Sequence, residues 1–328
     1  MTAPIRVLIV DDSAFVRKVL RELLGVSAEI EVVGIARDGL DALEKVAELN
    51  PDVLTLDLMM PNLDGLGVLE GLPLEGAPRV IVVSTSDGET ELGAAALQAG
   101  ALDIVRKPTA LATDQLYEVR DELIRKVKHA AAARPRRFTS LVGQAAPTTE
   151  SRYRDVIVVG TSTGGPQAIT RLLAALPGSL PVPIVIALHI PFGYTEALAA
   201  RLDAGSALDV REAQDGIVLR PGLAVLARGG AHVRIVRRGE HECVAVDTDQ
   251  GGAAYAPSVD VLFESAAGVF GSRTLGVVLT GMGDDGLLGS SAIHRAGGSV
   301  LTESERSCVV YGMPRCVQEA GYSAAQAP

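Results

Sequence analysis

The sequence predicts an α/β fold with two domains: one with a five-stranded parallel sheet, and a doubly wound one with an antiparallel hairpin portion. Three observations support this prediction. The chain has 328 residues, more than a single domain usually contains. Short apolar segments alternate with helical patterns, which is typical of parallel sheets covered by helices on both faces. The alternation stops over residues 130–152, which are rich in Ala, Pro, Thr and Ser and indicate a linker. The predicted domains therefore cover residues 3–129 and 153–328.

Five short apolar segments predict the sheet of the first domain. Helical patterns lie between them, for example at Ser13–Leu24 and Asp38–Leu49. The predicted strands are Arg6–Val10, Glu31–Ala36, Val53–Asp57, Arg79–Ser84 and Asp103–Pro108.

The second domain repeats this pattern after the linker. Its predicted helices include Pro166–Leu176 and Tyr194–Gly205. Residues from Asp209 to Asp249 differ, because polar and apolar residues alternate between glycine-rich turns, and this pattern predicts antiparallel hairpins. The predicted parallel strands are Val156–Gly160, Val182–His189 and Thr274–Gly281.

Composition narrows the class of protein. The net charge of −10, the absence of Trp and the low aromatic content of 3% argue against binding to nucleic acid or to an acidic membrane. Cys243, Cys308 and Cys316 are odd in number and form no CxxC motif, which favours a reducing compartment. No apolar stretch approaches the roughly 20 residues that span a bilayer, and the N-terminal apolar run is too short for a signal peptide. We therefore expect a cytoplasmic protein with no nucleic-acid partner and no direct membrane insertion.

Polar side chains follow the predicted strands of the first domain. Asp11 and Asp12 follow the first strand, Asp57 and Ser84 end the third and fourth, and Lys107 comes near the end of the fifth. The carboxyl ends of parallel strands meet at one edge of a sheet, so these side chains are expected to lie together. Carboxylates are suitable ligands for Mg²⁺. A metal ion and a lysine can offset the negative charge of a phosphoryl group that is transferred to a carboxylate. A serine hydroxyl can then donate a hydrogen bond to the phosphoryl oxygens. Taken singly, the acids could also be ordinary helix caps.

From Ile5 to about Lys128, the chain resembles response-regulator receiver domains, and the loop "MMPNLDG" (Met59–Gly65) fits that family. The resemblance implies a flavodoxin-like fold and phosphorylation of Asp57. It also implies that Ser84 and Lys107 contact the phosphoryl group. The implied ligands of Mg²⁺ are Asp11, Asp12, Asp57 and the Met59 carbonyl.

The second domain contains the glycine-rich stretch "GTSTGG", from Gly160 to Gly165. A dinucleotide fingerprint requires G-x-G-x-x-G and an acid after the next strand, whereas this next strand ends in His189. The stretch instead matches G-x-S-x-G, a turn that presents a serine, here Ser162. A simpler alternative is that Ser162 caps the following helix.

Two later residues could make Ser162 nucleophilic. His189 ends the next predicted strand, and Asp285 lies beside Asp284 in a glycine-rich loop after a later strand. A neighbouring base activates a serine hydroxyl, and a carboxylate fixes the tautomer of that base. The order Ser, His, Asp differs from that of α/β-hydrolases.

The stretches "GTSTGG", "HIP", "EAQDG", "APSVDVLF", "LTGMGDDG" and "SCVVYGMPR" are similar to the catalytic domain of the chemotaxis protein-glutamate methylesterase (CheB) family. The resemblance implies that Ser162 is the nucleophile, that His189 is general base and acid, and that Asp285 orients it. The neighbouring Asp284 is the less favoured acid. It further implies that the Met282 N–H helps to hold the oxyanion and that Thr163 hydrogen-bonds His189.

The chain departs from the family pattern at two places: Tyr255-Ala256 replaces residues that are often basic, and Arg228 replaces a proline. The resemblance implies phosphorylation-activated hydrolysis of glutamate methyl esters on methyl-accepting chemotaxis receptors, with release of methanol, and deamidation of receptor glutamines as a further activity. A CheA-type histidine kinase is the implied phosphodonor. Mg²⁺ is implied at the receiver, and no cofactor for the ester chemistry. The alternatives are a response regulator whose second domain only binds a ligand, and a transcription factor, for which no recognition helix is predicted.

Overall fold

The computed structural model of the chain describes residues 3–73, 76–85, 89–107, 113–133, 154–248 and 255–328. The chain divides into two compact units, Met1–Pro135 and Arg136–Pro328. Residues 134–152 of the predicted linker, and Pro108 at the predicted end of the fifth strand, lie outside the described residues. Within the described ranges, every helix is too short or too polar to cross a bilayer.

The first unit is a five-stranded parallel sheet with strand order β2-β1-β3-β4-β5, as the fold prediction requires. Helix α5 ends at Ala132, three residues beyond the predicted domain boundary at 129. The elements are β1 Ile5–Val10, α1 Ala14–Leu24, β2 Ile30–Ala36, α2 Gly39–Leu49, β3 Val53–Leu56, α3 Gly65–Gly71, β4 Arg79–Ser84, α4 Thr90–Ala99, β5 Asp103–Arg106 and α5 Thr113–Ala132.

The second unit contains a seven-stranded parallel sheet with strand order β14-β13-β12-β6-β7-β9-β8. A two-stranded antiparallel hairpin, β10-β11, lies outside this sheet. The elements are β6 Val156–Thr161, α6 Gly165–Ala175, β7 Ile184–Leu188, α7 Thr195–Ala204, β8 Asp209–Glu212, β9 Leu223–Leu226, β10 His232–Arg238, β11 His241–Asp247, α8 Val259–Phe270, β12 Thr274–Val278, α9 Leu287–Arg295, β13 Ser299–Glu303, α10 Met313–Glu319 and β14 Ser323–Ala327.

The predicted hairpin region is only partly correct. Strands β10 and β11 form the expected hairpin, but β8 and β9 pair in parallel at the edge of the main sheet. Their connection contains no helix and instead runs along β11, where the Gly216 N–H donates to the Val244 carbonyl at 2.8 Å and the Leu219 N–H to the Glu242 carbonyl at 2.9 Å. Because the helix that usually marks a parallel connection is missing, the sequence pattern resembled that of a hairpin.

Strand β6 lies where the order of the second sheet reverses, with β7 on one side and β12 on the other. Doubly wound folds bind their ligands at such a point, beyond the carboxyl ends of the strands. Helix α8 packs its apolar face, including Leu262 and Phe263, into the core beside β6. The ends of β6, β7 and β12 and the start of α8 therefore meet at one edge of this domain.

Candidate functional site

Ser162 occupies a tight turn directly after β6. The turn closes through Gly164, whose φ of +79° is the left-handed conformation that glycine adopts most readily. Gly164 is also the N-cap of α6, so the alternative that Ser162 caps this helix is wrong. The serine remains partly exposed at the amino end of α6.

Backbone and side-chain hydrogen bonds fasten this turn to the residues after β12. The Ser162 N–H donates to the Thr280 carbonyl at 3.1 Å. Thr161 Oγ1 donates to the same carbonyl at 2.6 Å, and Thr280 Oγ1 donates to the carbonyl of the buried Thr163 at 3.0 Å. The serine turn and the loop after β12 therefore hold each other in place.

Strand pairing places His189 beside Ser162. Thr161 of β6 is paired with Leu188 of β7, and the His189 N–H donates to the Thr161 carbonyl at 3.1 Å. Ser162 and His189 thus follow matched residues on adjacent strands. Within the described part of the chain, the Ser162 hydroxyl makes no hydrogen bond to the imidazole. Such bonds are often long without substrate.

The His189 side chain is only 9% exposed, and its Nε2 donates to Asp285 Oδ2 at 2.7 Å. The other ring nitrogen, Nδ1, is therefore the one left for Ser162. Asp284 is exposed, so the structure pairs the histidine with the second acid of the loop.

The buried Asp285 carboxylate lies against the amino end of α8. Ser258 Oγ donates to Oδ1 at 3.0 Å, the Asp260 N–H to Oδ1 at 2.9 Å and the Val259 N–H to Oδ2 at 2.7 Å. Burial raises the pKa of Asp285, but the hydrogen bond and charge of His189 and the backbone N–H groups outweigh it, so the pKa lies below its usual range. Asp285 is therefore held ionised, as an orienting carboxylate must be.

The Asp260 side chain makes a similar interaction with the amino end of the next helix, α9. Its Oδ1 accepts hydrogen bonds from the Gly286 N–H at 2.8 Å and the Gly289 N–H at 2.7 Å, at the start of α9. Burial, with the nearby charge of Asp285, raises the pKa of Asp260 to about 6. The sequence could indicate a capped helix at "PSVD", but not that its free N–H groups hold a carboxylate from another loop.

Met282 follows Gly281, which lies in close contact with the serine turn. A Cβ on Gly281 would lie 2.9 Å from Ser162 N and 3.0 Å from Ser162 Cβ, so only glycine permits this approach. In the described residues, the Met282 N–H donates to no protein acceptor. This free donor next to the serine suits the predicted oxyanion role.

The predicted acidic cluster of the first domain also assembles. Ligand oxygens of Asp11, Asp12 and Asp57 lie within 4.8 Å of one another, and Lys107 Nζ lies 2.7 Å from Asp57 Oδ2 and 3.0 Å from Asp11 Oδ2. The cap of α1 is Ser13, so neither acid after β1 is a helix cap.

Burial raises the pKa of Asp57 to about 6, since the attraction of Lys107 only partly offsets burial and the charge of Asp11. Burial would lower the pKa of Lys107, but its ion pairs with Asp57 and Asp11 raise it. Clustered carboxylates of this kind fit Mg²⁺, because a bound divalent cation would relieve their mutual repulsion.

Ser84 and Met59 flank the cluster. The buried Ser84 hydroxyl donates to the Glu89 carboxylate, and Glu89 Oε1 also accepts from Thr85 Oγ1 at 2.9 Å. The Met59 N–H donates to Asp57 Oδ1 at 3.3 Å. Ser84 must therefore leave Glu89 before it can bind a phosphoryl group on Asp57.

Comparison with known proteins agrees with this geometry. A family model for the CheB methylesterase matches residues 157–328, and one for the response regulator receiver domain matches residues 7–119. The chain belongs to the CheB methylesterase family. The resemblances drawn from the motifs are therefore confirmed for both domains.

Relatives of the family match along almost the whole chain. A "Protein-glutamate methylesterase/protein-glutamine glutaminase 5" of Myxococcus xanthus (strain DK1622) is 59% identical, over 100% of this chain and 96% of the relative. A protein-glutamate methylesterase/protein-glutamine glutaminase of Symbiobacterium thermophilum is 43% identical, over 97% of this chain and 92% of the relative. The crystal structure of the Thermotoga maritima CheB methylesterase catalytic domain is similar with a TM-score of 0.52 and 37% identity, covering 54% of this chain and 94% of that domain.

The environments of the two adjacent acids predict different effects of neutralising them. Asp285→Asn would place an amide against His189 and three N–H or O–H donors, and we expect methyl-ester hydrolysis to fall by roughly 10³- to 10⁴-fold. Asp284→Asn, at the exposed neighbouring position, is the matched control and should retain activity within about twofold. Equal losses in both variants would show that Asp285 does not orient the base.

The raised pKa of Asp57 predicts a stability effect. A carboxyl whose pKa is higher in the folded state opposes folding once it ionises, so Asp57→Asn should stabilise the receiver by about 1 to 3 kcal/mol above pH 6. The difference in stability should shrink as the pH falls below 6 and vanish below pH 3.8, the usual pKa of the carboxyl group. Saturating Mg²⁺ should stabilise only the wild type and so reduce the difference in stability between the wild type and the variant.

Hydrogen exchange of receiver peptides in urea, followed by mass spectrometry, measures this stability in the full chain. Glu70→Gln, which neutralises an exposed carboxylate of α3, is the control and should change the stability of the receiver little. An Asp57→Asn receiver that is no more stable than wild type at pH 7.5 would contradict the account of the cluster.

Proposed function

We propose that this chain hydrolyses γ-glutamyl methyl esters on methyl-accepting chemotaxis receptors, with Ser162 as nucleophile. The observation that carries the proposal is the buried His189–Asp285 pair, 2.7 Å apart, at a strand end matched to the serine turn. The proposal includes a cytoplasmic location, a receiver at 3–129, a linker at 130–152 and a catalytic domain at 153–328.

In the acylation step, Ser162 Oγ attacks the ester carbonyl carbon while its proton moves to Nδ1 of His189. The carbonyl oxygen becomes an oxyanion, which the Met282 N–H stabilises together with the amino end of α6. The tetrahedral intermediate collapses, the bond to the methoxy oxygen breaks, and the imidazolium gives its proton to that oxygen. Methanol leaves, and the glutamyl group remains esterified to the serine.

Deacylation reverses these roles. His189 takes a proton from a water molecule that attacks the acyl carbon, and a second oxyanion forms at the same donors. Its collapse releases the glutamate carboxylic acid and returns the proton to the oxygen of Ser162. Asp285 remains ionised throughout and stabilises the imidazolium.

Deamidation of receptor glutamines is a second proposed activity, supported by the glutaminase named for both close relatives. A carboxamide forms the same tetrahedral oxyanion, and His189 would protonate the leaving nitrogen so that ammonia departs. Thr163, buried beside the nucleophile, is proposed to support the imidazole during both reactions.

We propose that a CheA-type histidine kinase supplies the phosphoryl group that activates the enzyme through Asp57. Asp11, Asp12, Asp57 and the Met59 carbonyl would hold Mg²⁺, which offsets negative charge when bound. Lys107 already contacts Asp57 and would bind the phosphoryl oxygens. Ser84 would exchange its hydrogen bond to Glu89 for one to the phosphoryl group.

The alternative of a second domain that only binds a ligand predicts a different chemical behaviour. A fluorophosphonate probe reacts with an activated serine and leaves an unactivated one unmodified. Labelling of Ser162 in the wild type, lost in His189→Ala, would support the esterase. An unlabelled protein would favour the binding domain.

Ser162→Ala should abolish methanol release from a methylated receptor preparation, with a loss of about 10⁴-fold or more, since the nucleophile itself is removed. The partly exposed turn leaves no core cavity, so the thermal unfolding curve should not change. Ser206→Ala, which alters a serine at the end of α7, is the control. Release within tenfold of wild type from the Ser162 variant would exclude Ser162 as nucleophile.

Asp57→Asn should leave the basal esterase rate intact and remove the response to a small phosphodonor with Mg²⁺. The reason is that the amide cannot accept the phosphoryl group although the shape of the cluster is kept. Methanol release with and without the phosphodonor gives the activation ratio for each protein. An unchanged ratio in the variant would show that activation does not pass through Asp57.

A further inference from the structure

The ring of Tyr255 lies flat against the imidazole of His189. The ring centroids are 4.3 Å apart and the planes differ by 12°. The two rings are therefore stacked. Tyr255 belongs to the Tyr255-Ala256 pair, which departs from the often basic residues of the family pattern.

The segment that carries Tyr255 is anchored on both sides. The Ala256 carbonyl accepts a hydrogen bond from the Gly230 N–H at 3.0 Å, and the Ser258 N–H donates to His232 Nδ1 at 3.3 Å. Ser258 in turn donates to Asp285. One short segment, residues 255–260, therefore contacts both the face of the imidazole and the carboxylate at its edge.

The stack also reaches towards the loop after β12. A Cβ on Gly283 would lie 3.6 Å from the Tyr255 hydroxyl oxygen, so the phenol extends from His189 to the residue after Met282. The ring therefore covers one face of the imidazole and limits its rotation. With Nε2 fixed on Asp285, a fixed ring plane fixes the direction of Nδ1 as well.

The charge of His189 changes during the proposed reaction, and the face of Tyr255 responds to that change. An aromatic face is electronegative and attracts a cation more strongly than a neutral ring. When Nδ1 takes the serine proton, the imidazolium gains this attraction, which the neutral imidazole lacks. Because the stabilisation is larger in the charged state, it lowers the barrier to proton transfer.

We propose that Tyr255 is a positioning residue for the general base: it fixes the plane of His189 and stabilises its protonated form through the ring face. This inference rests on the proposed function. It assigns the tyrosine no contact with the receptor. Among titratable groups, Tyr255 stacks on the imidazole and Asp285 is hydrogen-bonded to it, and the Asp260 N–H donates to Asp285.

Substitutions at Tyr255 separate the ring face from simple packing. Tyr255→Phe keeps the face and should retain kcat within about twofold. Tyr255→Leu keeps apolar bulk without the face and should lower kcat by about 5- to 30-fold, the range that cation–π attraction supports. KM should change little, since the tyrosine acts on the base. The apparent pKa of the acid limb of kcat/KM should fall in Tyr255→Leu and stay unchanged in Tyr255→Phe.

Fluorinated phenylalanines incorporated at residue 255 provide the stricter test, because fluorine weakens the electronegative face with little change of shape. The logarithm of kcat should decline steadily as fluorine atoms are added. Tyr322→Leu is the matched control: Tyr322 meets His294 at 5.5 Å and 48°, and its loss should leave kcat and the pH profile unchanged.

All rates are measured as methanol release from one methylated chemoreceptor preparation with the full-length protein. A kcat that does not depend on fluorination, together with equal acid limbs in Tyr255→Leu and Tyr255→Phe, would overturn this inference alone. Failure of the wild type itself to release methanol would instead overturn the proposed function.

Discussion

The amino end of helix α8 is the constraint on which the catalytic geometry depends. A buried carboxylate without partners costs several kcal/mol, yet Asp285 lies there with donors from Ser258, Val259 and Asp260. The Asp260 side chain in turn accepts two N–H groups at the start of α9. The amino end of α8 thus binds a carboxylate from the loop before α9, and the amino end of α9 binds a carboxylate from α8. The loop that carries Asp285 cannot move without taking these donors from the buried Asp285 and the partly buried Asp260, so His189 has a fixed partner.

Each domain has a buried acid after a parallel strand, but the surroundings shift the pKa of the two acids in opposite directions. Asp57 and Asp285 are both buried acids that follow a parallel strand. Burial, with the charge of the neighbouring Asp11, raises the pKa of Asp57 to about 6, and the ion pair with Lys107 offsets this only in part. Asp285 faces a histidine and helix N–H groups, and its pKa falls. The first environment favours a bound cation, which would offset the charge of a phosphoryl group on a phosphoacceptor. The second favours a permanently ionised group, which suits an orienting residue.

Much of this arrangement could be predicted because strand ends are visible in the sequence. Short apolar runs located the strands, and the polar residues that follow them, such as Ser162 and His189, identified both candidate sites. The rest depends on tertiary contacts between distant segments. Nothing local shows that the N–H groups of α8 bind Asp285, or that Ser84 donates to Glu89. The parallel pairing of β8 and β9, in a region predicted to form antiparallel hairpins, has a related reason, since their helix-free connection is stabilised by pairing with β11.

Nitrogen-15 NMR of His189 in the unphosphorylated full chain tests the central claim most directly. The claim is that Asp285, held by α8, fixes the histidine as the Nε2–H tautomer and leaves Nδ1 as the base. The His189 signals can be assigned by their absence from His189→Asn. At a pH where the imidazole is neutral, we predict a protonated Nε2 with a strongly hydrogen-bonded proton and an unprotonated Nδ1. A proton on Nδ1 in the neutral ring, or rapid exchange between the two tautomers, would contradict the account.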